Sequence, residues 1–377
     1  MTPIESIKLR LKNFAAVGPE SPDLVWGNCG VRLPIDRAQF PTPILLLYLL
    51  HDVCGFQTGY RGDKTHWIIP FTYKGLHYAI SHEKFGLRIY SERGVDSKPK
   101  EVLGKLQKAL EYTEKNILHD IAQDQIAKGN ITIINRFSYL DEQYRYFRHQ
   151  AASAYSSEET PDTEPKGLNF IAESLNKMVG AGMTGGFNAL AMIDVYFSRL
   201  EHFLVLAFPF VGYNRDEDNL AEFAGLFWSD KFRKVLDFED KETHRFYEAL
   251  VGIKEKYRNT FAHGTFEKKG QSFFFHLEKY GAVPANMSGM RDSVHFNLLP
   301  IEQDGFDEIC KLFDSFDNYL SNKALSNVWR FADSGLNLAI DSKNLNELIQ
   351  ATKDAETYEE WIEKQCYFAA MYENADY

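Results

Sequence analysis

Apolar residues recur every three or four positions in DKETHRFYEALVGIKEKYRNTFAHG, residues 240–264, where Phe246, Leu250, Ile253, Tyr257 and Phe261 form one stripe. That spacing predicts a long amphipathic helix facing a core, with Gly264 placed to end it. The same period runs through EVLGKLQKALEYTEKNILHDIAQ and YLDEQYRYFRHQAASAY, between residues 98 and 155, with a break near KGNITI, and returns in FDEICKLFDSFDNYLSNKAL. PTPILLLYLLHDVCG, bounded by proline and glycine, predicts a buried helix after a weakly helical start and a Pro/Gly-rich loop. From His66 to Glu92 the period changes. Aromatic and β-branched runs separated by KG and KFG predict a two- or three-stranded antiparallel meander. The glycine cluster VGAGMTGGF reads as a flexible turn between the helices FIAESLNKMV and FNALAMIDVYFSRLEHFLVLAFPFV, and GQSFFFHLEKY with SVHFNLLP reads as an inserted hairpin.

These elements predict a mainly α protein in two parts. The acidic, proline-bearing SSEETPDTEPKG, residues 156–167, is the expected linker between them. Residues 1–155 form an α+β and helical region with a regulatory or sensor role, 168–330 a helical domain, and 331–377 an acidic helical tail. The chain has 377 residues and a formal net charge of -11, which excludes a globally basic nucleic-acid coat. Contact with RNA therefore needs a local patch, and Lys254, Lys256, Arg233 and Lys234, with Lys231, are the candidates. Cys29, Cys54, Cys310 and Cys366 are too dispersed for a zinc knuckle or a secreted disulfide framework. No apolar run reaches membrane-spanning length and the N-terminus carries charge throughout, so a cytoplasmic protein without a membrane partner is expected. His66, His77 and His82 lack Cys or carboxylate neighbours at metal-ligand spacing, and no metal or cofactor is expected.

Other signals have plain readings. Gly180, Gly182 and Gly185 fit G-x-G-x-x-G but follow a helical pattern instead of a strand, against dinucleotide binding. Arg145, Arg148 and His149 in YRYFRHQ interleave with aromatics, yet Tyr144 and Phe147 at helical spacing fit a packed face with solvated arginines. His202 reads as a core or supporting histidine.

The chemistry concentrates in YRNTFAHG, residues 257–264. On an α-helix Glu255, Asn259 and His263 share one stripe, with Arg258 on the neighbouring face. Arg258 offers a permanently charged fork for a phosphate, His263 a proton donor or acceptor, and Asn259 a group that orients either. Together they suffice for RNA cleavage by attack of a 2′-hydroxyl on the adjacent phosphorus. The helix dipole alone also favours Arg and His near a helix C-terminus.

The string Tyr-Arg-Asn-x-x-x-His-Gly resembles the R-x4-6-H motif of the HEPN superfamily, in which a polar residue follows the arginine and glycine often follows the histidine. The resemblance covers roughly residues 168–325 and is concentrated in 257–264. It implies a C-terminal up-and-down helical bundle carrying a small β-hairpin insertion, a homodimer with two motifs facing one cleft, and a metal-independent endoribonuclease. It further implies a toxin–antitoxin, abortive-infection or other anti-phage setting, in which an antitoxin or regulatory partner is possible. Glu201 in SRLEHF resembles the acidic residue some of these families place near the motif. Members that have lost activity imply the alternative of a non-catalytic dimerisation or RNA-binding scaffold. Others are partners of nucleotidyl transfer, their tyrosines being modified by a second protein.

Overall fold

A computed structural model describes residues 2–17, 29–59, 64–92, 97–156, 168–214, 217–259, 274–279, 281–284 and 301–375. The described chain is mostly helical with a small antiparallel sheet, and it forms two compact units. The first holds Met1–Asn130 and Glu363–Tyr377, the second Ile131–Ile362.

In the first unit, helix α1 (Pro3–Arg10) starts on a capping box in which Thr2 and Glu5 satisfy each other's backbone N–H. Five strands follow: β1 (Phe14–Ala16), β2 (Cys29–Pro34), β3 (Thr65–Tyr73), β4 (Leu76–Glu83) and β5 (Gly86–Glu92), in sheet order β1-β3-β4-β5-β2. The expected meander is β3-β4-β5, to which β1 and β2 add edges the sequence pattern did not mark. Tyr73 pairs with Leu76 across Lys74 and Gly75, whose positive φ angles of 52° and 81° are those of a two-residue primed hairpin turn. One sheet face presents Trp67, Ile69, Phe71, Tyr78, Ile80 and Ile89 to α2 (Pro43–Leu47, extended by a π-helical turn to Val53) and to α3 (Pro99–Thr113). Period-2 alternation puts all six on the same side, and burial of that face holds the unit together. Helix α4 (His119–Ala127) ends this segment.

The second unit opens with β6 (Thr132–Ile133) and α5 (Phe137–Ser156). Thus the helix on the N-terminal side of the expected linker belongs to this unit, and residues 157–167 of that linker lie outside the described residues. Helix α6 (Leu168–Ala207) is continuous through the glycine cluster, where the sequence pattern predicts a turn. A Cβ on Gly185 would lie 2.6 Å from the Tyr155 ring, so this glycine serves close approach of α5 and α6 inside a helix. Although α6 has forty residues, no helix among the described residues is long and apolar enough to cross a membrane.

Short helices α7 (Leu220–Gly225) and α8 (Trp228–Val235) lead to α9 (Lys241–Ile253). β7 (Phe274–Leu277) pairs with β8 (Gly281–Pro284), so GAVP supplies a strand the sequence pattern did not mark, and SVHFNLLP, residues 293–300, lies outside the described residues. Helices α10 (Gln303–Tyr319), α11 (Ser326–Asp333), α12 (Ser342–Ala351) and α13 (Ala355–Ala375) follow, with β9 (Leu338–Ala339) pairing back to β6. The core joins α6 and α10 through Tyr196 and Phe313, stacked 3.5 Å apart at an interplanar angle of 2°. Phe232 of α8 and Phe246 of α9 both pack on Phe316.

Candidate functional site

Helix α9 leads into the motif, and its start is fixed by side-chain chemistry. Asp240 caps it by accepting from Thr243 N at 2.9 Å, and the Tyr319 hydroxyl on α10 donates to the same carboxylate at 3.0 Å. Phe246, Leu250 and Ile253 are buried and Tyr257 is half-buried, so the described part of the expected stripe faces the core, while Phe261 lies outside the described residues. Past Ile253 the winding changes: Lys254–Asn259 is a π-helical turn, in which hydrogen bonds run from i to i+5. The backbone of Arg258 and Asn259 closes this turn, while their side chains, His263 and Gly264 lie outside the described residues.

The described candidates divide into two groups. Glu201 on α6 accepts an ion pair from Lys231 Nζ on α8 at 2.9 Å, with the Lys231 side chain 4% exposed and that of Glu201 34% exposed. One helical turn from Glu201, Phe197 meets Trp228 edge to face at 5.5 Å, and Lys254 Nζ lies 4.9 Å from the Trp228 ring centre and 5.5 Å from that of Phe197. Glu201, Lys231 and Lys254 therefore lie around one buried aromatic platform beside the motif turn. A lysine over indole is held by the ring's negative face.

Arg233 belongs to a neighbouring arrangement. Its guanidinium lies 5.1 Å from the Tyr247 ring centre and 5.2 Å from that of Phe238, and Nη2 donates to the Tyr247 hydroxyl at 3.1 Å. Lys234 is exposed. Lys256 is also exposed, with Nζ 5.1 Å from the centre of the Tyr257 ring. A groove of about 350 Å³ opens between the motif-bearing helix and α10, bordered by Gly252, Lys256 and Tyr257 on one wall and Gly305, Glu308 and Ile309 on the other.

A second charged cluster went unnoticed in the sequence. Arg199, 4% exposed, sits in α6 with Asp141 of α5 and Asp317 of α10 as salt-bridge partners. The rings of Tyr144, Tyr196, Phe137 and Trp329 surround it at 4.8 to 5.8 Å. Burial opposes the guanidinium charge, but the two aspartates and Tyr196 more than offset it, and the net shift of its pKa is upward. Asp141 also pairs with Arg145 at 2.6 Å, and Arg148 grips Asp314 through both of its terminal nitrogens, so the arginines of YRYFRHQ act within helix packing. His202 accepts the backbone N–H of Arg136 on Nε2 at 2.9 Å. Burial, with Arg136 nearby, lowers its pKa and favours the neutral ring.

Among the described residues no group of three or more His, Cys, Asp and Glu could hold a metal ion. No family model, curated protein or solved structure matches the chain.

Proposed function

We propose that this protein is a metal-independent endoribonuclease of HEPN type. The observation that carries the reading is the string Tyr257-Arg258-Asn259-x-x-x-His263-Gly264, whose first three residues lie in the turn that continues a helix with Phe246, Leu250 and Ile253 buried. Lys254, half-exposed beside that helix end over the buried rings of Trp228 and Phe197, adds a cation suited to an RNA backbone. In this reading His263 moves the proton of the attacking 2′-hydroxyl or of the leaving 5′-oxygen. Arg258 takes up the charge that develops on the phosphorane, and Asn259 orients the imidazole or a ribose hydroxyl.

Glu201 acts in this scheme through its pair with Lys231, which fixes the carboxylate against α8. Lys254 and Lys256 hold flanking phosphates, with Arg233 and Lys234 further along the same surface. Two copies bring two motifs to one cleft, as the resemblance implies, and the setting is cytoplasmic anti-phage or toxin–antitoxin action with a regulatory partner. The helical core is read as the up-and-down bundle of that superfamily.

One observation favours the second reading, a non-catalytic dimerisation or RNA-binding scaffold: the carboxylate of Glu201 is engaged by a buried lysine and so has a structural partner. RNA degradation in the presence of EDTA separates the two. The nuclease reading expects cleavage by the wild type and none by folded Arg258→Ala or His263→Ala. RNA binding without cleavage in all three proteins selects the scaffold.

A further inference from the structure

The groove between α9 with its π-turn and α10 combines three features that helix packing does not require. Ala249, Gly252, Lys256 and Tyr257 line one wall at helical spacing, Gly305, Glu308 and Ile309 the other, and the groove, open to solvent, has a volume of about 350 Å³, within the range of small-molecule sites. Glycine at Gly252 and Gly305 is not forced by its surroundings. A Cβ at Gly252 would meet nothing within 4 Å, and one at Gly305 would meet Tyr257 Oη at 3.7 Å and Ile301 Cγ2 at 3.8 Å, both ordinary contacts. Neither backbone is left-handed. Since glycine weakens a helix relative to alanine, these two positions forgo helix stability and keep the groove open. The walls are also charged, with Lys256 facing the groove from one side and Glu308 from the other, which suits a polar occupant better than an apolar partner helix.

We propose that this groove is a nucleobase subsite, selective for bases that carry an exocyclic amino group, serving the RNA strand whose cleavage is proposed above; its occupant rests on that reading. Lys256 and Tyr257 line the same wall, a cation for a phosphate beside an aromatic ring for a base. The Glu308 carboxylate only accepts hydrogen bonds. It matches the amino group of cytosine, adenine or guanine and opposes the O4 acceptor of uracil.

The test is equilibrium binding of 3′-CMP and 3′-UMP to the full-length protein, beside Gly252→Leu, Gly252→Ala and Glu308→Gln, each with its melting temperature and oligomeric state. The subsite predicts saturable 3′-CMP binding about tenfold tighter than 3′-UMP. It predicts loss of that binding in Gly252→Leu without a lower melting temperature, a smaller loss in Gly252→Ala, and a closed gap between the two nucleotides in Glu308→Gln. Equal affinity for both nucleotides, unchanged binding in Gly252→Leu, or a change of oligomeric state in that variant without nucleotide binding by the wild type would overturn it. RNA cleavage measured in parallel keeps the two proposals apart. Cleavage that needs Arg258 but ignores Gly252→Leu removes the subsite alone, whereas selective 3′-CMP binding in a protein that never cleaves RNA supports the subsite and removes the nuclease.

Discussion

Two cations in the second unit meet aromatic rings in opposite ways. Arg199 is enclosed by four rings and gripped by Asp141 and Asp317, so its charge is fully answered within the fold. Lys254 meets Trp228 and Phe197 at the edge of the motif turn and is half-exposed. The same pairing of cation with π-system thus fixes three helices in one place and prepares a surface in the other. What separates the two is exposure: Arg199 is 4% exposed above its carboxylate pair, while Lys254 is half-exposed over buried rings.

The contrast is broken most directly at Arg199. Arg199→Ala leaves Asp141 and Asp317 facing each other without their cation, and a loss of about 3–5 kcal/mol in chemical denaturation is expected. Arg199→Lys keeps the charge without the fork and should fall between. A loss below about 1 kcal/mol would show the cluster to be a surface feature. The next effect concerns the crossing that Arg199 locks. Gly185→Ala places a methyl against the Tyr155 ring and should lower stability by about 1–3 kcal/mol, although alanine favours a helix, and a rise in melting temperature would deny the close approach. The smallest stability change belongs to the platform. Lys254→Met should stay within about 1 kcal/mol of the wild type while weakening RNA binding and reducing its salt slope by about 1. Unchanged RNA affinity in that variant would place the platform with Arg199, as structure.

The features visible in the sequence and those hidden from it divide by distance along the chain. Phe246, Leu250 and Ile253 declare their shared face within eight residues, and Lys74–Gly75 declares its turn within two. Both depend on local geometry alone, which periodicity reports well. The glycine cluster in α6 misleads because a glycine's helix penalty of about 1 kcal/mol is local, and packing against Tyr155 overrides it. GAVP did not announce itself as a strand, since it is short and lacks an alternating apolar pattern, and only its short loop to Leu277 marks the hairpin. The Arg199 cluster was illegible, with partners 58 and 118 residues away in sequence. At the candidate site the motif string itself was legible, whereas the pairing of Glu201 with Lys231, thirty residues apart, was not. The π-turn was not, because apolar spacing does not register one extra residue per turn at the helix end.

The central claim concerns how RNA is cut, and the ends of the products record it. Mass spectrometry of fragments made by the wild type in EDTA should find 2′,3′-cyclic phosphates and 5′-hydroxyls, absent from Arg258→Ala and His263→Ala. Fragments ending in 5′-phosphates and 3′-hydroxyls, or cleavage that persists in both variants, would contradict it.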